Sequence, residues 1–287
     1  AALALKSRVC LFEGTFRKYH GIADYEKYLD ACITASDDFM KNSGYSLYKT
    51  GSTPYQTLFS SLNAIQQEIV LARDYNGTLN IRHDVQGFEN TASKGRPGLS
   101  KKIVNMYLNK NGSRFTDMQG YATKVFFDEC QNRDPRLAQT IRGLDFKRDG
   151  KAVVADMTVC LTGYHVIKYS LDDTKYDNNE KNNNSIPLLR YAEVLLNYAE
   201  AQAELGGLTD ADWNTTIGAL RRRAGITGGT EKLPTTVDSY LQQVFYPNIT
   251  NPVLLEIRRE RAIELVAEGT RFNDLRRWKC GELIEEL

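Results

Sequence analysis

The chain has 287 residues, enough for one large domain or two small ones. Its 37 Lys and Arg balance 36 Asp and Glu to a net charge of +1, which argues against a nucleic-acid partner, since such binding needs a concentrated cationic face. A hydrophobic fraction of 41% excludes global disorder, and no apolar run nears the roughly 18 residues of a membrane-spanning helix.

Residues 1–13 are predicted to form a helix, with Leu3, Leu5, Val9 and Leu11 among small alanines and Gly14 suited to its end. Residues 21–41 form a second, with Ile22, Tyr25, Leu29, Cys32, Ile33 and Phe39 at helical spacing. The two read as an αα-hairpin. From 42 to 185 Gly, Asn, Ser and Asp become frequent and the apolar periods shorten. A helix is expected at 55–71 on Leu58, Leu62, Ile65, Ile69 and Val70, and a shorter one at 99–109. Between them, 74–98 has no period, and a loop that long in a compact domain is usually functional or disordered. β-branched and aromatic residues around Thr162-Gly163 predict short strands at 153–161 and 164–169, and 172–184 reads as a polar, Asn-rich surface loop.

Residues 186–287 turn helical again. Pro187 suits a first helical turn, and Leu188, Tyr191, Ala192, Leu195, Leu196, Ala199 and Ala203 make a Leu/Ala face closing at Gly206-Gly207. Asp210 is a candidate cap for a helix at 211–224. Asn251 and Pro252 open a helix at 252–268 that Gly269 stops, and a short helix runs on through Trp278. The expectation is a mainly α fold in one domain. It comprises a helical hairpin (1–41), an irregular segment with a few short strands (42–185) and C-terminal helices (186–287). Small residues at the helix crossings suggest tetratricopeptide-like packing.

The chemistry-bearing residues form no specific constellation. His20, His83 and His165 lack metal-site spacing, and neither GxSxG nor a P-loop occurs. With 36 acids some carboxylate pair is inevitable, so no catalytic residue, metal or cofactor is indicated. The five cysteines are widely spaced without CxxC and read as small buried hydrophobes, with one disulfide left open. Glu256 with Arg259, and Arg261 with Glu264, are i,i+3 neighbours that read as ion-paired helix faces. Asp274 with Arg277, and Arg133 with Asp134 and Arg136, read as loop braces. Trp213 and Trp278 sit among apolar helical neighbours and read as core.

Several longer stretches resemble the SusD/RagB family, in the family's order. They include the helix from Arg190 to Ala201 (RYAEVLLNYAEA), the stretch from Ile257 to Trp278 (IRRERAIELVAEGTRFNDLRRW), and Arg221-Arg222-Arg223-Ala224-Gly225. Arg133-Asp134-Pro135-Arg136-Leu137 resembles the family's RDPRL turn, Thr162-Gly163-Tyr164 with Lys168-Tyr169 its TGY…KY strand, and Gln67-Glu68-Ile69-Val70 a helix end in which the family usually has Asn first. Ala1 to Gly14 resembles its opening helix.

The resemblance implies a non-catalytic, mostly helical glycan-binding lipoprotein of the outer membrane, exposed at the cell surface. It also implies a partner, a SusC-like TonB-dependent transporter, to which captured oligosaccharide is handed. Some branches of the family take peptides, and a helical scaffold without a small ligand is the remaining alternative. Signal peptide, lipobox Cys and the family's N-terminal helices are missing, so the chain is taken as an internal piece whose lipid anchor lies upstream. Within it, the aperiodic segment 74–115 is the candidate ligand surface. Tyr75, Phe88, Tyr107 and Phe115 are candidates for stacking on sugar rings, and Arg73, His83 and Arg96 for bonding hydroxyls.

Overall fold

The structure is a computed structural model that describes residues 1–177 and 181–285. It is mainly helical, with few and short strands. In chain order the principal elements are α1 (Ala2–His20), α2 (Tyr25–Asn42), α3 (Pro54–Ser60), β1 (Ile69–Arg73), α4 (Val85–Asn90) and α5 (Lys101–Met106). Then come α6 (Phe126–Glu129), α7 (Pro135–Ala138), β2 (Lys147–Arg148), β3 (Lys151–Ala152) and β4 (Ile186–Arg190). The C-terminal set is α8 (Tyr191–Glu204), α9 (Asp210–Thr215), α10 (Ile217–Ala224), α11 (Ser239–Val244), α12 (Pro252–Glu264), α13 (Arg271–Arg277) and α14 (Glu282–Glu285).

Helix α1 does not stop at Gly14. It runs to His20, and Gly21, at φ 69°, closes it by donating its N–H to the Arg17 and Lys18 carbonyls. Gly14 serves the crossing instead, because a Cβ there would lie 2.8 Å from Leu29 Cδ2 of α2. The α1–α2 hairpin packs on α8, and α8 in turn packs on α12. On α8, Leu195, Leu196, Ala199 and Ala203 bury against Trp213, Ile217, Leu220 and Ile257, while Ala201 meets Leu11, Leu29 and Cys32 of the hairpin. Both tryptophans are core residues, at 1% exposure for Trp213 and 2% for Trp278. All five cysteines are free.

Several expectations are corrected. The helix expected at 55–71 ends at Ser60, and Ile69–Arg73 is a strand pairing antiparallel with Ile186–Arg190. β-branched Ile69 and Val70, with Pro187 unable to donate, favour an isolated two-stranded ladder over one long helix. Pro187 therefore lies in a strand, and α8 begins at Tyr191. The helix expected at 99–109 spans only Lys101–Met106. The strands expected at 153–161 and 164–169 are not strands; the second stretch contributes only single bridges, Gly98 to His165 and Ile141 to Val166. The helix expected at 211–224 breaks at Thr216, whose Oγ1 donates to the Asp212 carbonyl at 2.6 Å. Thr209, not Asp210, caps it, in a capping box with Asp212. Helix α12 ends at Glu264, four residues early, and α11 has no counterpart among the predicted elements.

Asn182 and Asn184 of the supposed surface loop are fully buried, while 178–180 lie outside the described residues. Asn182 accepts from the Gln86 N–H at 3.1 Å, and Asn184 donates to the Phe59 carbonyl at 2.7 Å. These side-chain amides satisfy backbone groups where no ladder does.

The motif residues converge on a buried ion network. Arg190 donates to Glu264 at 2.6 Å, to Glu68 at 3.1 Å and to Glu268 at 2.7 Å. Arg223 pairs with the same Glu264 and Glu68. Arg136 pairs with Glu260 at 2.5 Å, Glu264 at 2.8 Å and Asp134 at 2.7 Å. Burial alone would raise the Glu264 pKa, but the guanidiniums of Arg223, Arg190 and Arg136 outweigh it and hold the carboxyl well below the usual range. Glu256 pairs with Arg259 at 3.2 Å as expected. Arg261 instead turns to Asp274 at 2.8 Å, which also takes Arg277. Arg133 donates to the backbone carbonyls of Val104, Tyr107 and Glu129. The network ties β4, α7, α10 and α12 to Glu68 at the start of β1.

Candidate functional site

Segment 74–98 is folded. Asn76 pairs with Ile81 around a turn whose Thr78 and Leu79 N–H groups donate to Asn76 Oδ1. His83 then pairs with Asn182, and α4 follows. Gln86 anchors α4 by donating to the Asp173 carbonyl and Asp177 and accepting from the Leu171 N–H. Gly87 permits this approach, since a Cβ there would lie 3.0 Å from the Asp177 carbonyl oxygen and closer still to Asp84. On the inner side of α4, Glu89 is 3% exposed and accepts from Ser170 Oγ at 2.7 Å and the Tyr169 N–H. Burial pushes its carboxyl up to about 7. Burial also lowers His165 to about 4, so its neutral ring donates Nε2–H to the Glu89 carbonyl.

The sequence-predicted residues separate into two partly exposed groups and one buried pair. Tyr75, half-buried, meets His83 edge to face at 4.4 Å, with the Arg73 guanidinium 5.3 Å from the Tyr75 ring. Burial lowers the His83 pKa, leaving a neutral ring whose Nε2 contacts the Asn184 carbonyl at 3.0 Å. The second group is Phe88 and Arg96. Phe88 projects from α4 at 54% exposure, with Lys94 6.0 Å from its ring centroid. Arg96 donates Nη2 to the Met157 carbonyl at 3.1 Å, and its buried Nε has no acceptor among the described residues. Tyr107 is a correction. It is fully buried with Val104, Leu137 and Ile141 in the core and cannot reach a ligand, because its sequence neighbours Met106 and Leu108 are buried with it. Phe115 is likewise buried, under the Arg133 guanidinium at 3.5 Å.

Beside Arg96 lies a depression of about 350 Å³, lined by Phe126, Leu144, Val154 and Met157. Val154 is 84% exposed and Met157 59%, so this apolar surface is open. Sequence reasoning placed Val154 and Met157 in or beside a strand and missed them. The available signal was apolar residues without partners of matching period in a Gly- and Asp-rich stretch. The exposed ring and open apolar floor suit a ligand with C–H faces. Among the described residues no group of His, Cys, Asp and Glu is placed to hold a metal.

Helical pairs carrying an irregular segment define the class, and comparison gives the family. The sequence matches the SusD family over residues 67–283. The chain belongs to the SusD family. None of the proteins of curated function matches it. Among solved structures it is similar to a SusD-like carbohydrate-binding protein from Bacteroides fragilis, at 22% identity and a TM-score of 0.67, covering 97% of this chain and 52% of that one. A second SusD-like protein from Bacteroides fragilis gives 25% identity and a TM-score of 0.68 over 98% of this chain and 54% of the other. A structure containing a xylogluco-oligosaccharide gives 20% identity and a TM-score of 0.58 over 96% of this chain and 50% of its own. The chain thus spans about half the length of these structures.

Proposed function

We propose that the chain is part of a non-catalytic, cell-surface oligosaccharide-binding protein that works as one domain, held at the outer membrane by a lipid anchor and passing its ligand to a SusC-like TonB-dependent transporter. Membership of the SusD family supports this reading. The observation that carries the ligand assignment is the exposed apolar surface of Phe88, Val154 and Met157, with Arg96 bonded to the Met157 carbonyl at its edge. In the buried ion network Arg190, Arg223 and Arg136 all pair with Glu264.

A glycan array probed with the full-length protein tests capture. Binding to at least one oligosaccharide class, with no release of reducing ends on prolonged incubation, is expected. Hydrolysis abolished by one carboxylate substitution would reject the non-catalytic part. Co-purification of the full-length protein with the transporter encoded beside it tests the partner, and failure of the two to associate in detergent would reject it.

A further inference from the structure

Phe88 and Arg96 lie on separate pieces of chain, and one stretch, residues 164–170, supports both. Glu89, next to Phe88, accepts on its carboxyl from Ser170 Oγ at 2.7 Å and from the Tyr169 N–H at 3.3 Å. Its backbone carbonyl accepts from His165 Nε2, and Asn90 Nδ2 donates to the same Ser170 Oγ at 2.9 Å. Two residues beyond Arg96, Gly98 forms a bridge with His165. Around it the Leu99 N–H donates to the Tyr164 carbonyl at 2.9 Å and the Val166 N–H to the Pro97 carbonyl at 3.2 Å. Gly95 brings the two pieces together, since a Cβ there would lie 2.9 Å from Phe88 Cδ1. The exposed ring and the guanidinium beside Met157 are thus placed from one support, and the Glu89 carboxyl joins that support to α4.

This joint has no cation. Glu89 is 3% exposed and makes no ion pair among the described residues. The charged and titratable groups around it are committed elsewhere. Arg148 of β2 donates to both oxygens of Asp177, at 2.6 and 2.5 Å, and Asp177 itself adds a like charge. Lys168 turns away to Tyr55, the Val266 carbonyl and Glu268. Burial holds the His165 ring neutral and the Tyr169 hydroxyl protonated. Ionising a carboxyl here strands a charge out of reach of water, and two hydrogen bonds do not offset that cost. The neutral form is the one this packing suits.

We propose that Glu89 is a positioning residue whose neutral carboxyl keeps α4 docked on residues 164–170, and that its ionisation loosens α4 and separates Phe88 from Arg96, so that a sugar held in mildly acidic medium is let go as the medium turns alkaline. The inference rests on the glycan-binding reading of the Phe88 face and adds a proton as its control. Binding selects the braced arrangement, so sugar and proton favour each other's binding. An uncharged sugar brings no titrating group of its own, which leaves the pH dependence to the protein.

The test is calorimetry on the full-length protein between about pH 5 and pH 9 with xylogluco-, cello- and manno-oligosaccharides, following the series that binds at the acidic end. Parent affinity is expected to be level below about pH 6 and to fall about fivefold or more by about pH 9. Glu89→Gln, which keeps the shape and cannot ionise, should bind across the whole range as the parent does at its acidic end. Ser170→Ala removes a donor that favours the ionised carboxyl, so its fall should come at higher pH than the parent's. That second variant decides the matter if melting curves show Glu89→Gln unfolded. Parent affinity that is level with pH, or a Ser170→Ala fall that does not move upward, overturns the brace while leaving glycan binding intact. A fall that persists in folded Glu89→Gln belongs to another group, such as Lys168, and overturns it too. A protein that binds no glycan at any pH overturns both readings.

Discussion

Arg190 Nη1 donates to Glu264 Oε1 at 2.6 Å across 74 residues of sequence, joining the end of β4 to the last turn of α12 inside the protein. Glu264 also takes Arg223 and Arg136, so one carboxylate serves three guanidiniums. Replacing it with alanine leaves those cations buried without their partner. Glu264→Ala should lower unfolding free energy by about 3–5 kcal/mol. Denaturant melts read this directly, and a loss below about 1 kcal/mol would mean that water reaches the cluster.

Glu89 gives a pH signature of the opposite sign to most carboxylates. Its folded pKa of about 7 lies above the ordinary 4.5, so the folded state binds more protons between those values. The stability it contributes is therefore full below pH 4.5 and is lost as pH rises toward 7. In Glu89→Gln, a permanently neutral stand-in, that dependence should vanish. The difference between parent and variant should change by on the order of 2–3 kcal/mol across the window. Parallel stability curves for the two would show Glu89 to be solvated.

Ala199 sits fully buried where α8 packs against Trp213, Ile217 and Leu220. Ala199→Trp should overpack this crossing and cost roughly 1–3 kcal/mol in thermal or chemical melts. An unchanged melting curve would place that face in solvent.

The helices that bury a stripe were legible, because Leu and Ala at 3.6-residue spacing survive any tertiary context. Helices α1, α2, α8 and α12 were all found, with errors at their ends. The middle was less legible. Ile65, Ile69 and Val70 share a helical phase, yet β1 forms because β4, more than a hundred residues on, supplies its partner. The Arg and Glu of the motifs were read as structural, but not as buried. Periodicity says nothing of which distant guanidinium meets Glu264. Phe88 is exposed and Arg96 half-buried, whereas Tyr107 is buried by Leu137 and Ile141 from another segment, which its own neighbourhood in the sequence does not reveal.

Salt dependence separates stacking from charge at the candidate face. On the proposed reading Arg96 and Phe88 would hold a neutral ligand by hydrogen bonding and ring contact, so affinity for a bound oligosaccharide should change less than about twofold between low and high salt. Titrations at both conditions check this. A steep fall with salt would indicate an anionic ligand instead.

The central claim is that the irregular segment binds sugar while the family motifs build the support beneath it. Calorimetric titration of the full-length protein with an oligosaccharide found on the array, alongside Phe88→Ala and Arg96→Ala, tests it most directly. Each variant should keep the parent melting temperature and lose about five- to tenfold in affinity, the equivalent of one stacking or hydrogen-bonding contact. Parent-like affinity in both variants would place the ligand elsewhere and contradict the account.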